Sequence, residues 1–179
     1  MNTMLQAIRM DQAHIDTVDL GAQLRTLYDT NYRSLVKLAS FYVDDVGSCE
    51  EVVQDAFVQL LAGRRVTAAG TEAAYLRSAV LNGARSALRK RRVRREKKPQ
   101  ASGPFPSAEP AALDLVIRDE VLQALRSLPR RQSDVLVLRY YLDLSEAEIA
   151  HTLDMARGTV KSHAHRGLKS LADLLENLR

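Results

Sequence analysis

Four of the five prolines in this 179-residue chain fall between Pro99 and Pro110. Proline fixes φ and has no N–H to donate, so neither a helix nor a strand ladder continues through a stretch this dense. Residues 98–112 therefore read as a flexible, semi-rigid linker. It separates a module over 20–97 from one over 113–179, with residues 1–19 as a weakly ordered N-terminal extension. Modules of this size exclude a large multidomain enzyme. Only eight glycines are present, and no period-two alternation is long enough for a strand. The fold class is all-α: two small helical domains joined by a Pro-rich linker. Trp is absent and aromatics are 5%, so the cores must be aliphatic.

In the first module, Leu35, Leu38, Ala39 and Tyr42 follow the i, i+3, i+4, i+7 spacing of one buried helix face. Ser48 and Glu51 have capping-box spacing and open a second helix. Its apolar face carries Val52, Val53, Ala56, Phe57, Leu60 and Leu61. Gly63 and Gly70 bracket a loop, and a third helix follows with Tyr75, Leu76, Ala79, Val80, Gly83 and Ala87. In the second module, helix patterns cover about 113–127, 129–142, 145–153 and 157–177. Pro129 suits a first helical turn, and Ser145 with Glu148 forms another capping box.

Charge narrows the function classes. The formal net charge is +4, but the run Arg89–Lys98 alone holds eight of the 26 basic residues and one of the 22 acids. The rest of the chain is mildly acidic. Such a cluster repels itself unless a polyanion neutralises it, which favours nucleic acid over a solvated tail or a membrane-surface patch. Arg85, Arg89 and Arg92 recur at helical spacing on one exposed side of the third helix. No stretch reaches the roughly 18 apolar residues of a membrane span, and no signal-peptide pattern opens the chain. The reading is a soluble, cytoplasmic protein. The single cysteine, Cys49, excludes an internal disulfide and a Cys-cluster zinc site.

Residues 145–162 read as helix, tight turn, helix. Ile149, Ala150 and Leu153 would bury the first helix, and Val160, Ala164, Leu168 and Leu171 the second, with small Ala150 permitting a close crossing. Arg157, Thr159, Lys161, Ser162, His165, Arg166 and Lys169 are left outside. A helix-turn-helix places such side chains in the major groove, within reach of base edges and phosphates. An ordinary helical hairpin would show the same apolar spacing.

The residues also carry a resemblance. Glu148-Ile149-Ala150, Gly158-Thr159-Val160-Lys161-Ser162 and Arg166, preceded by Leu125 to Leu136, resemble the helix-turn-helix of bacterial sigma factors of the extracytoplasmic-function (ECF) group. Glu50 to Phe57 resembles that family's core-polymerase-binding helix. Tyr75-Leu76 with Asn82 and the arginine run resembles its promoter-melting helix. The order of the three motifs agrees over about residues 20–178. Ala156 departs from a frequent capping serine, Leu61 and Tyr75 stand at common tryptophan positions, and Ser86 replaces a frequent aspartate.

The resemblance implies a promoter-specificity subunit, not an enzyme, with core RNA polymerase and promoter DNA as partners and an anti-sigma factor as a further candidate. It implies stress- or signal-responsive transcription initiation. Glu51, Gln54, Asp55 and Gln59 would contact polymerase. Tyr75, Asn82, Arg85, Arg89 and Arg92 would act at the minus-ten element, with loop 63–72 as a base pocket. Arg157, Thr159, Lys161, Ser162, His165, Arg166 and Lys169 would read the minus-thirty-five element. No cofactor, membrane or small-molecule substrate is implied. A stand-alone helix-turn-helix regulator is the competing class, and an enzyme a distant third. His163 and His165 point to different helix faces and do not form a metal site. Cys49 reads as a small buried residue.

Overall fold

The computed structural model describes residues 2–62, 70–97 and 112–176; side chains at 2–20, 92, 94–97 and 112–119 lie outside the description. Every element among these residues is helical. In chain order they are α1 (Asn2–Ser40), α2 (Val46–Ala62), α3 (Glu72–Lys97), α4 (Ala112–Ser127), α5 (Arg130–Leu136), α6 (Glu146–Leu153) and α7 (Arg157–Glu176). A π-helical turn, Val137–Tyr141, prolongs α5, and the Leu142 N–H reaches back to the Val137 carbonyl at 3.3 Å. Residues 2–19, read from the sequence as a weakly ordered extension, continue α1 instead. Of the linker read at 98–112, all but Ala112, which opens α4, falls outside the described residues, and so do residues 63–69 of the loop read at 63–72, whose last residue, Glu72, opens α3.

The first module is a three-helix unit. Leu35, Leu38, Ala39 and Tyr42 of the α1 end are all buried, as their spacing predicts. They meet Val53, Ala56, Phe57 and Leu60 from α2 and Leu76, Val80, Leu81 and Ala84 from α3. Burying one such leucine contributes about 2 kcal/mol, so this stripe is the main stabilising feature of the unit. Leu61, placed on the buried face by periodicity, is 46% exposed. It lies just beyond Leu60 at the end of α2, where the helix has turned its flank to solvent.

The α2 cap also differs from the expectation. Ser48 sits inside the helix, and its N–H donates to the Asp45 Oδ1 at 2.8 Å. Asp45 therefore caps, because a carboxylate immediately before the first helical residue reaches the free N–H groups that Ser48 cannot. Before α3, Gly70 adopts φ +99°, a left-handed conformation that costs a side-chain-bearing residue energy.

In the second module Pro129 is the residue before α5, not within its first turn; its carbonyl accepts from the Gln132 and Ser133 N–H groups. The Ser145–Glu148 capping box is complete in both directions. Val135 to Leu138, Ile149, Leu153, Val160 and Ala164 form the core. Leu168 is 44% exposed, and Gly167 is buried in its place. Residues 160, 164 and 167 form one stripe, and position 168 lies at its edge, about 40° beyond 164. A Cβ on Gly167 would lie 3.1 Å from Leu136 Cδ1 and 3.2 Å from Gln132 Cβ, so the glycine lets α7 approach α5 closely.

The two modules pack on each other. The Phe41 and Tyr141 rings are 6.3 Å apart, and Lys37 Nζ lies 4.4 Å above the Tyr141 ring. Arg126 Nε donates to the Phe41 carbonyl at 2.7 Å, and its Nη2 reaches Asp44 at 3.3 Å. The sequence suggests that nothing within the chain fixes the separation of the modules. The structure corrects this: contacts more than 80 residues apart in sequence join them.

Candidate nucleic-acid interface

Helices α6 and α7 are joined by a turn in which Asp154 takes a left-handed conformation, φ 49°, and the Met155 N–H returns to the Ala150 carbonyl at 3.0 Å. With Ile149 and Val160 fully buried, the N-terminal half of α7 is held by one face only. Arg157, Thr159, Lys161, Ser162, His165, Arg166 and Lys169 are all exposed on the remainder. Local bonds shape this surface. Ser162 Oγ donates to the Gly158 carbonyl at 3.0 Å, and Arg166 Nε to the Ser162 carbonyl at 3.2 Å. Glu146 on α6 draws Lys161 to 3.7 Å and Arg139 to 3.3 Å, both at the protein surface.

His163 is turned toward the α5 side, away from its neighbour His165. Burial, then the Arg166 and Arg131 charges, hold its imidazole below the usual histidine range. Among the described residues, no group of three or more His, Cys, Asp or Glu side chains is placed to hold a metal ion.

The residues expected on α3 are not equivalent. Tyr75 and Arg89 are exposed, while the Arg92 side chain lies outside the described residues. Asn82 is exposed, but its Oδ1 accepts from Arg130 Nη2 at 2.8 Å. Arg85 departs most from expectation: the sequence puts it on an exposed side, yet it is turned into the boundary between modules. Its guanidinium pairs with Asp134 and donates to the Tyr42 hydroxyl at 3.0 Å. Desolvation lowers its pKa, partly opposed by Tyr42. Helical spacing could not reveal this, because the partner residue comes from α5.

On α2, Glu51, Gln54, Asp55 and Gln59 are exposed opposite Val53, Ala56, Phe57 and Leu60. Val58, 61% exposed, shares this outer surface. Helical spacing does not mark Tyr42, Arg126, Arg130 and Asp134 as members of one polar cluster. One signal was available: Asp134 immediately precedes the apolar run Val135-Leu136-Val137-Leu138 within a helix.

A charged helix-turn-helix on one helical module and an arginine-rich helix on another define a DNA-binding protein with two candidate contact surfaces. Residues 27–94 match the family model for Sigma-70 region 2, and residues 118–171 match that for Sigma-70, region 4. The chain is 30% identical over 169 residues to the ECF RNA polymerase sigma factor SigL of Mycobacterium tuberculosis, covering 88% of this chain and 92% of that protein. An RNA polymerase sigma-E factor of Streptomyces avermitilis is 29% identical over 171 residues, 92% of this chain and 89% of the relative. The chain belongs to the ECF RNA polymerase sigma factors, and its function is promoter-specific transcription initiation.

Solved structures share the fold. The sigma factor RpoE in complex with the anti-sigma factor NepR, from Bartonella quintana, superposes with a TM-score of 0.62 at 23% identity, covering 88% of this chain and 99% of that one. CnrH in complex with the cytosolic domain of CnrY also gives 0.62, at 22% identity, covering 86% of this chain and 88% of that one. No described helix is long and apolar enough to cross a membrane.

Proposed function

We propose that this chain acts in the cytoplasm as a signal-responsive specificity subunit that docks on core RNA polymerase and reads two promoter elements. The observation that carries the reading is the exposed polar half of α7, held by a helix-turn-helix whose other face is buried. Arg157, Thr159, Lys161, Ser162, His165, Arg166 and Lys169 read the minus-thirty-five element there as duplex. Donors such as Arg166 and Lys161 match acceptor-rich guanine edges, and Lys169, further along, matches phosphate.

Tyr75, Asn82, Arg85, Arg89 and Arg92 on α3 hold the minus-ten strands once they part. An aromatic ring can stack an unpaired base while cations follow its backbone. Glu51, Gln54, Asp55 and Gln59 form the polymerase-facing side of α2. No bond is made or broken by this chain, since the polymerase supplies the chemistry. The sigma factor RpoE, whose fold resembles this one, was solved in complex with the anti-sigma factor NepR, which supports a similar inhibitor for this chain.

Transcription in vitro with purified core polymerase and a randomised promoter library tests the reading. Runoff products that require this chain and select two elements at fixed spacing are expected. Core-independent, sequence-specific DNA binding with no effect on initiation would overturn it.

A further inference from the structure

The Asp134 carboxylate has no solvent exposure, its Oδ2 has no hydrogen-bond partner, and the residues that bond its Oδ1 belong to the other module. Tyr42 Oη donates to Oδ1 at 3.1 Å, and Arg85 pairs with the same oxygen. Within its own helix the nearest cation is Arg130, with Nε 4.0 Å from Oδ2. Arg130 in turn spans the boundary to Asn82, and Arg126 ties the Phe41 carbonyl and Asp44 to α4. The cluster thus buries much of Arg85 and engages the Oδ1 of the exposed Asn82, two of the residues assigned to the melted strand.

A carboxylate withdrawn from water by a neighbouring module is a poor way to make a permanent interface, because well-packed apolar groups hold at least as well without the desolvation cost. It suits a reversible one. When the modules part, water solvates Asp134, and Arg85 is free to meet another anion. A nucleic-acid phosphate offers Arg85 the same geometry as a carboxylate, with oxygens matched to the guanidinium fork.

We propose that Asp134 is an internal stand-in for phosphate, a latch that closes the free chain on itself and withholds Arg85 and Asn82 from single-stranded DNA. The closure stands on the geometry alone; its consequence for DNA rests on the minus-ten reading of α3.

The test uses the full chain carrying Asp134→Ala, with small-angle X-ray scattering, far-ultraviolet circular dichroism and binding of a fluorescein-labelled AT-rich single strand. The expected result is unchanged helicity, a larger radius of gyration, and single-strand affinity raised by about tenfold or more, as for a binding-competent state released from a closed one. Expansion without tighter binding would uphold the latch and refute the single-strand role of α3. A helical variant with unchanged radius and affinity would overturn the latch. Should Asp134→Ala not fold, the Arg126→Gln, Arg130→Gln double variant removes the outer bonds without stranding a buried charge. It is expected to expand in the same way, and unchanged compactness there would overturn the proposal.

Discussion

Ala156 precedes the first residue of α7, and only its backbone carbonyl engages the helix, accepting from the Thr159 and Val160 N–H groups. Its methyl cannot satisfy the free amides of the first turn. Ala156→Ser supplies the missing acceptor and is expected to stabilise the second module by about 1 kcal/mol, read from the urea midpoint. A lower midpoint would show that the turn rejects the serine rotamer. Cys49 is buried and donates to the Val43 carbonyl at 3.5 Å. Burial first, then the Asp45, Asp44 and Glu50 charges, push its thiol up to about 11. The native chain should therefore react slowly with a disulfide reagent at neutral pH and rapidly once unfolded. Fast native labelling would contradict the burial. Glu148 runs the other way: its bonds from Ser145, side chain then backbone, hold the carboxyl below its ordinary range. A lowered carboxylate pKa contributes stability that is present above the unfolded value and lost as pH falls through the folded one. Glu148→Gln should make acid unfolding of the second module less steep, and an unchanged profile would place that pH sensitivity elsewhere.

At the scale of elements, periodicity predicts existence well and facing less well. The stripe 35, 38, 39 on α1, with 42 in the turn just after it, and the stripe 53, 56, 57, 60 on α2 are buried. The errors, Leu61 and Leu168, are apolar residues at the edge of a stripe, where hydropathy says inside and geometry says flank. Gly167 lies on the buried side for a reason hydropathy does not weigh, the close approach of Leu136. The polar face of α2 predicts that Gln54→Ala with Asp55→Ala weakens co-purification with core polymerase. Melting temperature should be unchanged, since both side chains are exposed and leave no cavity. Equal recovery of polymerase would reduce the face to solvated surface. On α7, Arg166→Ala is expected to lower transcription and flatten the penalty for changing one upstream base, by about 1–3 kcal/mol of lost discrimination. Lys169→Ala should weaken all sequences alike and reduce the salt slope by about one unit. A uniform loss across upstream variants for Arg166→Ala would make that residue a phosphate contact.

For the whole molecule, the packed modules predict weak binding of duplex promoter DNA by the free chain at physiological salt. The α7 surface is open, but Arg85 and Asn82 are engaged within the chain. Nanomolar, sequence-specific binding without polymerase would contradict this. The helical class, the two modules, the helix-turn-helix and the side chains around its exposed half are legible from residue order, because each depends on contacts a few positions apart and on patterns that repeat every turn. The same holds for the Ser145–Glu148 box, whose partners are three residues apart. The meeting of Tyr42, Arg85 and Asp134 is of another kind. These residues lie 43 and 92 positions apart, counted from Tyr42. No local period couples them, and although the apolar run after Asp134 hints at its burial, nothing in the residue order names its partners. Packing of the second module on α3, chiefly through α6, turns an arginine that reads as free into one held by a buried carboxylate.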